Sequence, residues 1–156
     1  MKRRRCLALL LAGGTSGCLR LTESQPTQNS PESRVAFEIR VANKEGTLQT
    51  IVNGSDVATA SNPRELTGRS GYEVTVELTE SGAEKLVTAL EELGAFSNRS
   101  EHPIFVYFDG QNVHSFELTR ALADHMNNGD FQDERGIAIQ FEDRQVARDL
   151  SNSLQS

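Results

Sequence analysis

The chain has 156 residues, with 16 basic and 22 acidic side chains, 37% hydrophobic residues, 6% aromatics and no Trp. At roughly 100 to 200 residues per domain this is one domain's worth of chain. Four basic residues, Lys2 to Arg5, open the sequence; beyond them 12 basic residues stand against 22 acidic ones, a net charge of −10 that excludes nucleic-acid binding by charge alone.

Lys2 to Arg5, the apolar run Cys6 to Ala12 and the small residues Gly13 to Gly17 follow the order of a signal peptide: basic n-region, short h-region, small-residue cleavage site. So short an apolar run cannot span a hydrocarbon core, which needs about 20 residues. Ser16 and Gly17 before Cys18 resemble a lipobox, which predicts cleavage after residue 17, a lipid on Cys18 and anchorage on the extracytoplasmic face of the cell membrane. Arg3-Arg4-Arg5-Cys6-Leu7 resembles a twin-arginine leader, which implies export in the folded state; an ordinary secretory leader is the alternative. With Cys6 removed and Cys18 lipidated, the mature domain has no cysteine left for a disulfide, a Cys-based zinc site or a thiol nucleophile. Residues 18–33, rich in Thr, Ser, Gln, Asn and Pro, are too polar to form a core and read as a flexible tether. The domain is expected over 34–156.

Val35, Phe37, Ile39 and Val41 alternate with smaller or polar residues, the period of a half-buried strand, and Asn43 to Gly46 offers a turn into a second strand over Leu48 to Val52. Tyr72 to Thr79 alternates again. Ser81 with Glu84 reads as a capping box, and Ala83, Leu86, Val87, Leu90 and Leu93 keep helical spacing until Gly94. Pro103 to Phe108 is a β-rich apolar run, and Asp109-Gly110 is a hairpin signal leading into Gln111 to Glu117. Thr119 caps a second helix carrying Leu118, Ala121, Leu122 and Met126, closed by Asn128-Gly129. Gly136 to Phe141 is a further strand, and Asp143 caps a last helix with Val146, Ala147, Leu150 and Leu154 on one side. The fold class is therefore α+β: an antiparallel sheet with β-α-β-β-α-β, ferredoxin-like order from Tyr72 to Phe141, plus an N-terminal hairpin and a C-terminal helix.

The sequence has no Gly-rich phosphate loop, no His-Glu-x-x-His and no Gly-x-Ser-x-Gly. His102, His114 and His125 are scattered and read as core-rim or surface residues. Ser115, His114 and Asp109 spell a triad in letters, but strand neighbours point to opposite faces. Asp130, Asp133 and Glu134 in the stretch Gly129 to Arg135 could hold a hard cation such as calcium, although the spacing is not that of an EF-hand and a solvated acidic loop explains it equally. Asn53-Gly54-Ser55 and Asn98-Arg99-Ser100 are glycosylation acceptors by pattern. No catalytic residue, metal or cofactor is expected.

Several segments together resemble one family. Ile51-Val52-Asn53-Gly54-Ser55-Asp56-Val57-Ala58-Thr59-Ala60 is similar to the V-T-G-x-D-(I/L)-x-x-A entry of the head subdomain in the first extracytoplasmic domain of the protein-export subunit SecD. Val74 to Ala83 resembles its strand followed by Ser/Glu-Gly-Ala, Ile104 to Gly110 its apolar strand ending in Asp-Gly, and Gly129, Ile137, Ile139, Phe141 and Val146 to Leu150 its closing G…I…F…A-x-x-L pattern. The usual Ser-Ala-Pro after Asp-Gly is replaced here by Val113-His114-Ser115-Phe116-Glu117. The match runs from Ile51 to Leu154 and lacks the family's membrane helices, where proton coupling requires ionisable groups. The resemblance implies a non-enzymatic, lipid-anchored envelope protein. It would take secreted polypeptide or translocase components as partners and would not itself be a proton-driven motor. A metal-binding or small enzymatic envelope lipoprotein, or a repurposed structural domain, are the alternatives. Phe105, Tyr107, His114 and Phe116 on the central hairpin are the candidate polypeptide-binding residues. After Arg5 only Lys44 and Lys85 are lysines among the basic residues, and this acid-rich, arginine-biased composition resembles haloarchaeal proteins.

Overall fold

The computed structural model describes residues 37–155; the leader, Cys18 and the tether expected at 18–33 lie outside them. Phe37, Ile39 and Val41 are fully buried while Glu38 and Arg40 are not, and this alternation forms β1 (Phe37–Ala42). Asn43 closes the following turn, its Oδ1 accepting from the backbone N–H groups of Glu45 (3.0 Å) and Thr47 (2.8 Å). The strand β2 (Leu48–Asn53) then returns antiparallel to β1. A 3₁₀ turn at Gly54–Asp56 leads to β3 (Val57–Ala60) and the two-residue β4 (Arg64–Glu65), and β5 (Tyr72–Leu78) pairs with both. Helix α1 (Glu80–Glu92) follows, then the hairpin of β6 (Ile104–Phe108) and β7 (Gln111–Phe116), α2 (Arg120–Asn127), the short α3 (Asp130–Glu134), β8 (Gly136–Phe141) and α4 (Arg144–Leu154).

The α+β class, the antiparallel pairing, the N-terminal hairpin and the terminal helix are as the sequence indicates. The strands, however, divide between two ladders instead of completing one four-stranded ferredoxin-like sheet. The first has the order β2-β1-β6-β7; the second has β5 at its centre, with β8 along one edge and β3 and β4 along the other. Since β3 and β4 occupy the edge of β5 that a ferredoxin-like fold would give to the hairpin, β6 pairs with β1, Ile39 facing Val106 and Val41 facing Ile104. The strands β3 and β4 are too short and too exposed to show a periodicity in the sequence. One apolar core joins both sheets: Val74 opposes Ile139 and Val76 opposes Ile137 within the second ladder, and they share a cluster with Phe37, Ile39, Val106, Leu86, Leu90 and Leu150.

Helix boundaries follow local chemistry. Thr119 caps α2 by accepting from Leu122 N–H (3.2 Å), and Asp143 caps α4 by accepting from Gln145 N–H (2.6 Å), both as expected. In α2 it is Ala123, not Ala121, that joins Met126 in the buried stripe. Helix α1 ends in a Schellman arrangement: Ala95 N–H donates to Leu90 O and Gly94, at φ 75°, donates to Glu91 O. Its start differs from the capping box expected at Ser81, because Thr79 is the N-cap and accepts from Gly82 N–H at 3.0 Å. The helix starts there, two residues earlier, because Thr79 N–H donates to Asp56 O (2.8 Å), which fixes the end of the strand.

Gly82 allows this junction. A Cβ on it would lie 2.5 Å from the Asp56 carbonyl oxygen and 2.9 Å from Asp56 Cβ, both on a backbone turn that has little room to shift. The Asp56 side chain is buried; one carboxylate oxygen accepts from Asn53 N–H (3.1 Å) and the other from Lys85 Nζ (2.6 Å). Gly82→Ala is expected to destabilise the domain by about 1–3 kcal/mol, read as a lower urea midpoint. Gly136→Ala is the control, because its Cβ would meet a Thr75 methyl at 3.4 Å and the Glu134 carbonyl oxygen at 3.7 Å, both ordinary contact distances. Equal midpoints for the two variants would show that close approach is not the reason for Gly82.

Candidate functional site

The strand β7 pairs only with β6 and β8 only with β5, so each leaves one edge unladdered among the described residues, and the two strands are neighbours. Unpaired strand edges carry backbone donors and acceptors suited to an added strand. Two surface grooves open along this seam. One, of about 480 Å³, is walled by apolar side chains, among them Phe116, Leu122, Met126 and Ile137. The other, of about 600 Å³, runs past Leu66, Arg69, Asn112, Phe141 and Asp143. His114 and Gln140 line both, so the grooves meet at these two side chains.

The four candidate residues fall into two pairs on opposite faces of the β6–β7 hairpin. Phe116 faces Ile104 and His114 faces Val106 in the ladder, which puts both on the inner face toward the seam; their rings stack with centroids 5.6 Å apart. Phe105 and Tyr107 alternate to the outer face, opposite Arg40 and Glu38 of β1. There the Arg40 guanidinium lies over the Tyr107 ring, 4.2 Å from its centroid, and its Nε donates to Glu38 at 2.7 Å. The structure therefore brings His114 and Phe116 together with Leu122 and Met126, and leaves Phe105 and Tyr107 half-buried on the far side. A bulge between Val106 and Tyr107, opposite Asn112 and His114, sets which β7 residues face the seam. This could not be read from the sequence, because one extra residue reverses the facing of everything beyond it.

The remaining polar candidates do not assemble into a reactive site. His114 and Ser115 point to opposite faces and Asp109 sits at the exposed hairpin tip, at φ 50°. His102, expected at a rim or surface, is fully buried; its Nδ1 lies 3.0 Å from the Ala42 carbonyl and must donate to it, fastening the end of β1 to the start of β6. The acidic stretch expected as a loop forms α3, because Phe131 in its first turn is buried and anchors it. Asp130 lies 3.8 Å from His125 Nδ1 and Glu134 3.3 Å from Nε2, on opposite sides of the ring. No group of three or more His, Cys, Asp or Glu side chains among the described residues could hold a metal ion.

Fold and seam define an α+β domain of two antiparallel ladders with an open, apolar-walled groove between their edges. In sequence it is similar to a protein-export subunit, and in fold to a related membrane component. Over 112 residues the chain is 28% identical to the protein-export membrane protein SecD of Methanolacinia petrolearia, covering 72% of this chain and 22% of that protein. Its fold overlays on a structure of SecDF, described as a membrane component that enhances protein export, with a TM-score of 0.54 and 12% identity over 78% of this chain and 62% of the other. The chain thus spans under a quarter of the SecD sequence and under two thirds of the SecDF chain. No family model matches it. No helix among the described residues is long and apolar enough to cross a membrane.

Burial lowers the proton affinity of the His114 imidazole below its ordinary pKa of 6.5. The unfolded chain therefore binds the proton first as pH falls through 6.5, so acidification removes stability through this residue and its neutral form favours the folded state. NMR titration should place the His114 midpoint under 6.5. The stability of the native protein should also fall more steeply between about pH 7 and pH 5 than that of His114→Phe. A midpoint at or above the ordinary value would mean that desolvation does not govern this ring.

Proposed function

We propose that this chain is a non-enzymatic, lipid-anchored envelope protein whose SecD-like domain holds extended polypeptide during protein export. The observation that carries the reading is the seam: two strand edges without a ladder among the described residues, beside an apolar groove walled by Phe116, Leu122 and Met126. Main-chain hydrogen bonds from a strand edge recognise any extended sequence, and the apolar wall adds affinity without demanding a motif. This is the tolerance required of a factor that meets many secreted chains. The sequence similarity to a protein-export subunit supports the same role.

The lipobox-like residues before Cys18 support anchorage through a lipid at that cysteine, and residues 18–33 would tether the domain close to the membrane. A tether of this length raises the local concentration of the groove for chains emerging there. The partners are secreted polypeptide and translocase components, not nucleic acid, since the body of the chain carries a net charge of −10. His114 and Phe116 are the contact residues of the inner face, with Phe105 and Tyr107 as a second, outer-face pair.

Photo-cross-linking separates the two faces. With a benzophenone side chain at Phe116 or at Tyr107 of the full, membrane-associated protein, capture of secreted polypeptides is expected from position 116 and at least several-fold less from 107. Capture from neither position, with the lipidated protein abundant in the membrane, would end the polypeptide-holding reading.

A further inference from the structure

Two glycosylation sequons occur in the domain, and the fold treats them differently. Asn53 is committed: its Oδ1 accepts from Ser55 N–H (2.9 Å) and Ser55 Oγ (2.6 Å), and its own N–H donates to Asp56. The hydroxyl that a sequon supplies is thereby tied up, and the residue ends β2 beside the Asp56–Gly82 junction. Asn98 lies in the segment between α1 and β6, exposed, with backbone angles of φ −126° and ψ 58° that belong to neither helix nor strand. Its side chain makes no capping hydrogen bond, and Ser100 is exposed beside it.

A cleft of about 460 Å³ runs from Asn98 to the start of α2, lined by Ser97, Glu101, Glu117, Thr119 and Arg120. Hydroxyl, carboxylate and guanidinium groups are the partners that sugar hydroxyls take, as donors and acceptors in turn. The cleft meets the seam groove at Glu117 and Thr119, which line both, but its Asn98 end lies outside that groove and the reading given above does not use it.

We propose that Asn98 is an N-glycan acceptor and that the first sugars lie along this polar cleft. This rests on the extracytoplasmic placement proposed above. If the twin-arginine-like leader exports the chain folded, modification occurs on the folded domain, where the Asn98 side chain makes no capping hydrogen bond, whereas the Asn53 amide oxygen and the Ser55 hydroxyl of its sequon are already bonded to each other. The donor is an oligosaccharide activated through a lipid-linked phosphate. The Asn98 Nδ2 forms a bond to the anomeric carbon of the first sugar, the bond from that carbon to the phosphate oxygen breaks, the lipid phosphate leaves with the electron pair, and one amide proton passes to base.

The test is peptide mass spectrometry on the full chain purified from its native membranes, reading the peptides that contain Cys18, Asn53 and Asn98. Expected is a sugar-mass addition on the Asn98 peptide that disappears in Asn98→Gln and in Ser100→Ala and persists in Asn53→Gln. An unmodified Asn98 on chains whose Cys18 carries lipid overturns the proposal and leaves the anchoring intact. An unmodified Asn98 on chains that retain Met1 overturns both, and a glycan confined to Asn53 overturns the choice of site.

Discussion

The contact of Asp56 with the start of α1 holds the two ladders in one pose. A buried carboxylate is costly unless its oxygens are satisfied, and here one takes the Asn53 N–H and the other the Lys85 ammonium while the backbone oxygen of Asp56 takes the Thr79 N–H. These bonds reach from the end of β2, an edge strand of the first sheet, to the end of β5, the central strand of the second, and to α1 between them. They close only because Gly82 has no Cβ to meet the Asp56 backbone. Lys85 is half-exposed, so its ammonium keeps part of its hydration while the carboxylate surrenders nearly all of its own. The pair therefore orients more than it stabilises, as is usual when one partner stays wet.

Fixing the sheets in this way leaves β7 and β8 as neighbours that do not zip together. The bulge opposite Val106 and Tyr107 twists β7, and bulges at an edge oppose regular pairing. Immediately before β8 the chain passes through Arg135 in the left-handed conformation, at φ 50°, a costly state for a side chain with a Cβ. It is held by the short α3, whose Phe131 carbonyl accepts from Arg135 N–H at 2.7 Å, and by the Arg135 carbonyl accepting from Leu78 N–H at 2.9 Å. The start of β8 is thus aligned to β5 and committed to it, which leaves its other edge toward the seam.

Long periodic segments were legible in the sequence. The alternation of Phe37, Ile39 and Val41, the Asp109-Gly110 turn and the caps at Thr119 and Asp143 each have a local cause, and each formed as its chemistry dictates. The resemblance of Ile51 to Ala60 and of Val74 to Ala83 to two separate family signatures acquires a physical meaning in the fold, since Asp56 of one touches Gly82 of the other. The ladder partners were not legible, because the edge of β5 is taken by β3 and β4, strands of four and two residues with no usable period. Nor was the division of the candidate residues. Alternation within β6 places Phe105 with Tyr107, but the register that sends His114 and Phe116 to the other face depends on a bulge that tertiary pairing selects. The burial of His102 was missed for the same reason: its partner is the Ala42 carbonyl, 60 residues away.

The composition of the seam matches a site that accepts backbone more readily than a particular side chain. From β8 the groove is lined by Gly136 and Ala138, which offer almost no bulk, beside Ile137 and Gln140, so at the two small residues the peptide groups are open to approach. The bulk comes from the opposite wall, where Phe116, Leu122 and Met126 stand together, and Met in particular adapts its shape to unlike neighbours. His114 stands where the two grooves join, and its burial keeps the ring neutral near pH 7, so no positive charge is fixed at that junction to select among passing segments. Discrimination by charge is left to the rim, where Arg69, Glu117, Glu142 and Asp143 lie in water. Charges so placed alter the rate of encounter more than the strength of the complex. If the groove holds polypeptide as proposed, small residues beside adaptable apolar ones, with the charges at the rim, would make it discriminate by extension of the chain and not by its sequence.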